Sequence, residues 1–197
     1  MENELRNARN GVKTNTLHTL WAIFNRPIFC ISLYHKIKGA VIMKFSGPVI
    51  IVDNISASRK FYEELLSQTV ILDLDANIAF DGGFSLLAKE IWLQFTHKND
   101  NEIIFKSNNY ELYFEEENFD EFISRLGAYG HIELVHDVVE YPWGQKVIRF
   151  YDVDKHIIEV GQSMSSVFKR FFAEGMTIEQ IVERTEHPIE FVKASLE

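Results

Sequence analysis

The chain predicts an α+β fold in which two βαβββ modules form a curled, cup-like mixed sheet, followed by C-terminal helices. Three observations carry this expectation. A strand–helix–strand pattern that opens at Pro48 starts again at Tyr110, with Asn54 matching Asn118, Ile55 matching Phe119 and Tyr62 matching Leu126, a period near 64 residues. The segment Arg149 to Val160 (RFYDVDKHIIEV) is two apolar strands joined by an Asp-rich turn. Past residue 162 the apolar spacing becomes helical, with the capping-box pattern Thr177-Ile-Glu-Gln180.

Residues 1–42 come first in chain order. They hold six Lys/Arg and two Asp/Glu, a charge of +4 against −13 for the remainder, so they read as an extension foreign to the rest of the chain. Three readings stay open for them: residues upstream of a natural start at Met43 and poorly ordered, a peripheral amphipathic anchor, or an ordered arm. Pro48–Val52 is a short apolar run and a buried strand. Asp53 to Ser56 supplies capping residues, and 57–67 (ASRKFYEELLS) is an amphipathic helix that turns Phe61, Leu65 and Leu66 inward. Strands are expected at 70–74, 77–80 and 84–88, with Gly82-Gly83 turning between the last two, then a short helix or loop at 91–100. The second copy has a strand at 110–115, a helix at 118–126 and strands at 132–136, 145–151 and 156–160. Neither copy alone covers both faces of a curled sheet; two side by side make a cup with an open face. The expected organisation is therefore an extension (1–42), a paired-module domain (43–162) and a helical tail (163–197).

The chain has 197 residues, 46% of them apolar and 25% charged, as in a globular protein with a sizeable core. A net charge of −9 argues against nucleic-acid binding. The tail resembles a helix-turn-helix in layout, but its four Lys/Arg against six Glu lack a basic footprint, so it reads as a packing or dimerising appendage. The apolar stretch 17–37 is broken by Asn25-Arg26-Pro27 into halves too short to span about 30 Å of hydrocarbon. The single cysteine, Cys30, rules out an intramolecular disulfide and a Cys-based zinc site, and fits a cytoplasmic protein.

Alternation puts Glu159 on the same strand face as Ile157, opposite His156, Ile158 and Val160, and a carboxylate among apolar neighbours needs water, a cation or a metal. The paired stretches VIIVDNISASRKFYEELL and ELYFEEENFDEFISRL, together with the closing RFYDVDKHIIEV, resemble the vicinal oxygen chelate superfamily (glyoxalase I, bleomycin-resistance proteins, extradiol dioxygenases) over about residues 43–162. Lys155 departs from the pattern, standing where glycine is common in the turn. The resemblance implies metal ligands on four strands. Two positions match, Glu111 and Glu159. The other two fall at Gly47, which has no ligating side chain, and near Ser85 to Leu87, which offer no strong ligand.

If a metal binds, the resemblance implies nickel, zinc, iron or manganese held by Glu111 and Glu159, with one of the two as base in a lactoylglutathione lyase-like or other metal-assisted lyase or isomerase reaction. His136 is a nearby candidate third group, with an ordinary strand-end histidine as the competing reading, and Glu111 is equally open to an ion pair with Arg149. The alternative function is a metal-free protein that binds or sequesters a small aromatic or cationic compound. In that reading Tyr113, Trp143 (displayed by the Pro142–Gly144 turn) and Tyr151 form an aromatic wall near Arg149 and His136. A third possibility is a regulatory module whose tail meets a partner. The resemblance further implies a homodimer.

Overall fold

Each copy of the repeat builds its own four-stranded mixed sheet, and the order of strands is the same in both. The computed structural model describes residues 43–197, so the readings of residues 1–42 lie outside the described residues. The first sheet runs β1 (Val49–Val52), β4 (Ser85–Ala88), β3 (Asn77–Phe80), β2 (Val70–Asp73), and the second β5 (Glu111–Glu116), β8 (Ile157–Gln162), β7 (Lys146–Tyr151), β6 (Leu134–Glu140). In each the first strand pairs in parallel with the last and the other neighbours are antiparallel. The helices α1 (Ile55–Glu64) and α3 (Phe119–Tyr129) come after the first strand of each copy. Asn54 caps α1 by accepting from the Ala57 N–H at 3.0 Å; Asn118 holds the matching position without a side-chain bond.

One apolar core joins the two copies. Ile50, Val52, Phe80 and Leu86 of the first sheet and Ile148, Phe150, Ile158 and Val160 of the second pack with Phe61, Tyr62, Phe119 and Phe122 of the helices. Fully buried rings such as Phe61, Phe122 and Phe150 each contribute about 1.5–3 kcal/mol. These residues alternate along their strands, which leaves the other face of the second sheet to Glu111, Tyr113, Arg149 and Glu159. The β7–β8 turn ties the copies together from the second side. Asp154 accepts from the Asp53 N–H (2.9 Å) and the Ser58 hydroxyl (2.8 Å), while Asp152 accepts from the Tyr62 hydroxyl (2.8 Å). Lys155, where glycine is common, adopts the left-handed conformation the turn requires (φ 69°).

The 91–100 stretch, expected as a short helix or loop, falls largely in the helix α2 (Lys89–Thr96), closed by His97 at φ 56°. One element differs from expectation. The strand expected at 132–136 instead begins at Leu134 and runs to Glu140, because β6 carries two register shifts against β7 that let pairing continue, while Ile132 packs against the core.

The tail forms α4 (Met164–Ala173), α5 (Ile178–Thr185) and α6 (Ile189–Leu196). Thr177 and Gln180 make the expected capping box. Phe168 and Phe171 are buried with Val167, Ile181 and Val192, whereas Phe172 is exposed. Among the described residues no helix is long and apolar enough to cross a membrane. The tail packs on the β6–β7 turn: Arg170 donates to the Gly144 carbonyl, and Arg184 Nε donates to the Pro142 carbonyl at 3.3 Å. Gly144 itself has φ +87°, and a Cβ there would run into the Phe171 ring. Gly144→Ala is therefore expected to lower stability by about 2–4 kcal/mol, combining left-handed strain with overpacking. Urea denaturation checks this; a midpoint equal to wild type would mean that the tail does not hold the turn.

Candidate functional site

Four adjacent strands bring one polar cluster onto the open face of the second sheet, with Arg149 of β7 at its centre. Register sets the neighbours: Arg149 lies opposite Glu159 on β8 and opposite His136 on β6, and Tyr113 on β5 lies opposite Glu159. Arg149 Nε donates to Glu111 Oε2 at 2.8 Å, and Nη2 forms an ion pair with Glu159 Oε2. Nη1 donates to the Tyr141 hydroxyl at 2.8 Å and lies 3.3 Å from His136 Nε2. All three guanidinium nitrogens are engaged, a use of the planar fork that a lysine cannot reproduce.

The two carboxylates differ in environment. Glu159 is 8% exposed; burial pushes its carboxyl above the ordinary glutamate range, Arg149 opposes that rise and the Glu111 charge adds to it. Glu111, at the more open edge, is held below the ordinary range, chiefly by the hydrogen bond from Arg149. Arg149 is raised in turn, Glu111 being the largest cause. Two carboxylates and one guanidinium leave the cluster a formal charge of −1.

An aromatic wall stands beside this cluster. Tyr141 and Trp143 stack with centroids 4.6 Å apart and planes 7° from parallel. Trp143 Nε1 donates to Gln145 Oε1 (3.1 Å), and Gln145 Nε2 donates to the Tyr113 hydroxyl (3.0 Å) and the Gln162 carbonyl (2.9 Å). Tyr113 and Trp143 remain 48% and 37% exposed. The cleft between the β1 and β5 edges, of about 550 Å³, opens beside Glu111 and is walled by Val49, Ile51, Ile103 and Phe105.

Of the residues singled out in the sequence, the structure gathers Glu111, Glu159, Arg149 and His136 at one point and places Tyr113 and Trp143 on the adjoining wall. It does not bring Tyr151 there. The Tyr151 ring is buried, its hydroxyl donates to Asn108 Oδ1 at 2.8 Å, and Lys106 lies over its face. His156 stands away from the Arg149 cluster, with Nδ1 2.9 Å from Asp152, and lines the cleft that opens beside Glu111. Tyr141 and Gln145 were missed as site residues. Their signal is the Tyr-Pro-Trp-Gly-Gln turn, but Tyr141 is five residues past His136, the wrong parity for a shared face, and only the β6 register shift between His136 and Val139 restores it.

The donor set does not fit a divalent ion. Both ligand-type carboxylates are engaged by Arg149, and the matching positions of the first copy offer Gly47, Ser85 and Leu87. Among the described residues no group of three or more His, Cys, Asp or Glu is arranged to hold a metal ion.

Residues 45–165 match the family described as Glyoxalase-like domain. A crystal structure of a protein of unknown function from Agrobacterium tumefaciens str. C58 is 31% identical, covering 61% of this chain and 94% of that one with a TM-score of 0.54. A glyoxalase/bleomycin resistance protein/dioxygenase family enzyme from Burkholderia phytofirmans PsJN is 15% identical over 59% of this chain and 96% of that one, TM-score 0.52, and shows the fold alone. A comparison with curated proteins returns no match. The paired βαβββ copies, the open cup face and the family match over most of the described residues together mean that this chain belongs to the glyoxalase-like domain family of the vicinal oxygen chelate superfamily.

Proposed function

We propose that the cup binds a small planar organic cation without the help of a metal ion. The observation that carries this reading is the double ion pair of Arg149, which commits both Glu111 and Glu159 and yet leaves the cluster with net negative charge. A metal-assisted lyase or isomerase would need those carboxylates free to hold the ion. The stacked Tyr141–Trp143 pair and the half-exposed Tyr113 ring support the planar part of the ligand, since aromatic faces attract cations by about 0.5–2 kcal/mol each. Glu111, the more exposed carboxylate, supplies the charge a cation meets at the cleft edge.

Proflavine serves as a test ligand, with fluorescein as its anionic counterpart. Proflavine is expected to quench tryptophan emission saturably, with a dissociation constant below about 100 µM, near −5.5 kcal/mol. Fluorescein should not do so, EDTA dialysis should leave the titration unchanged, and Trp143→Phe should abolish the quench. Binding that disappears on EDTA treatment, or equal affinity for both dyes, would sink the reading.

A further inference from the structure

A buried carboxylate holds one imidazole at the wall of the cleft beside Glu111. His156 is 7% exposed, and its Nδ1 lies 2.9 Å from Asp152 Oδ2. A carboxylate oxygen only accepts, so Nδ1 carries the proton and Nε2 of the neutral ring is left as an acceptor. Asp152 is itself held in place, because its oxygens also accept from the Tyr62 hydroxyl and from the Asp154 and His156 N–H groups. The Phe105 and Tyr110 rings flank the imidazole, with centroids 5.9 and 5.7 Å away. Among the described residues nothing hydrogen-bonds Nε2, yet it is not a buried unsatisfied atom. The Nδ1 edge faces Asp152 in the interior, so the edge that lines the cleft is the one carrying Nε2.

The cleft supplies the rest of a binding site. Its volume is about 550 Å³, and Val49, Ile51, Ile103 and Phe105 give it apolar walls. One wall is tied to the end of β1: Lys89 bridges Asp53 and Asp100, and Asn99 and Glu102 close a capping box on the turn that follows. Glu102 and Glu111 are its charged lining residues, and among the described residues no lysine or arginine lines it. An anion therefore meets no counter-charge there, and a cation loses hydration against apolar walls. A neutral aromatic ring with one hydroxyl suits both the walls and the Nε2 acceptor. We propose that the cleft between the β1 and β5 edges binds a neutral phenol, whose hydroxyl donates to His156 Nε2 and whose ring lies against the apolar walls. The inference does not rest on cation binding by the open face. It has a different ligand and a different recognising atom, so either can fail while the other stands.

The test uses the full chain with isotope-labelled histidine and para-chlorophenol as the probe, with para-chloroanisole as the ether that lacks the hydroxyl proton. The His156 ring is assigned in wild type by its Overhauser contacts to the Phe105 and Tyr110 rings. Long-range proton–nitrogen spectra are expected to show Nδ1 protonated and Nε2 bare. Para-chlorophenol should move the Nε2 resonance saturably toward the protonated position, and para-chloroanisole should leave it in place. By calorimetry wild type should bind the phenol about tenfold more tightly than the ether, the worth of one hydrogen bond, and His156→Phe should remove that difference. If His156→Phe does not fold, the wild-type spectra decide alone. An Nε2 that already carries a proton, an Nε2 resonance that the phenol does not move, or equal wild-type affinity for phenol and ether overturns the proposal. Tighter binding of para-chlorobenzylamine than of the phenol also overturns it, by making the cleft a cation site.

Discussion

Asp152→Ala is expected to cost about 4 kcal/mol or more. The Asp152 side chain is fully buried and accepts four hydrogen bonds: Tyr62 hydroxyl (2.8 Å), His156 Nδ1 (2.9 Å) and the Asp154 and His156 N–H groups (3.0 and 2.8 Å). Truncation leaves those donors in a closed interior, where each unsatisfied group costs about 1–3 kcal/mol. The loss also spans the molecule, because Tyr62 belongs to the first copy and the turn to the second. Asp152→Asn keeps one carbonyl acceptor and is expected to cost about half as much. Chemical denaturation of both variants checks the order. Near-equal, small losses would mean that the turn is held by backbone pairing alone and that the carboxylate contributes little.

Arg149→Met is expected to cost about 2–4 kcal/mol at pH 7–8, at the lower side of the range for breaking a buried ion pair because Arg149 is itself partly exposed. Its signature is in the pH dependence. In wild type, Glu111 has a lowered folded pKa, so its contribution is present above the ordinary glutamate range and is lost as pH falls through the folded value. Glu159 has a raised folded pKa, so its contribution is full below that range and is lost as pH rises through the folded value. The two slopes oppose each other. Without Arg149 the lowering influence on both is gone, and two adjacent carboxylates hold a proton more tightly than the unfolded chain does. The variant should therefore regain stability as pH is lowered from about 7 toward 5, narrowing its gap to wild type. Denaturation midpoints across that window decide it: a gap that stays constant with pH would mean that Arg149 contributes packing and not charge compensation.

Local patterns were enough for much of this molecule. Strand alternation placed Glu159 on the face opposite His156, because side-chain direction along a strand is a property of the backbone itself, whereas Glu111 was singled out by the family resemblance. The duplication from Asn54 to Asn118 predicted the paired modules, and the Thr177–Gln180 box marked the start of α5, because capping satisfies backbone groups within four residues. The Lys155 position, where glycine is common, marked the turn residue that proves left-handed.

Only the tertiary structure decided what those residues do together. The β6 register shift between His136 and Val139 changes parity between His136 and Tyr141, and no alternation rule crosses a bulge unaided. Tyr151 shares a strand and a face with Arg149, yet Asn108 and Lys106, some forty residues earlier in the chain, draw it into a different environment. Whether Glu111 and Glu159 serve an external cation or an internal one turned on where the Arg149 side chain lies, and that depends on β7 being paired between β6 and β8. Residue type and local spacing determine which chemistry a side chain is capable of; strand register, set by packing of the whole sheet, determines which partner it meets.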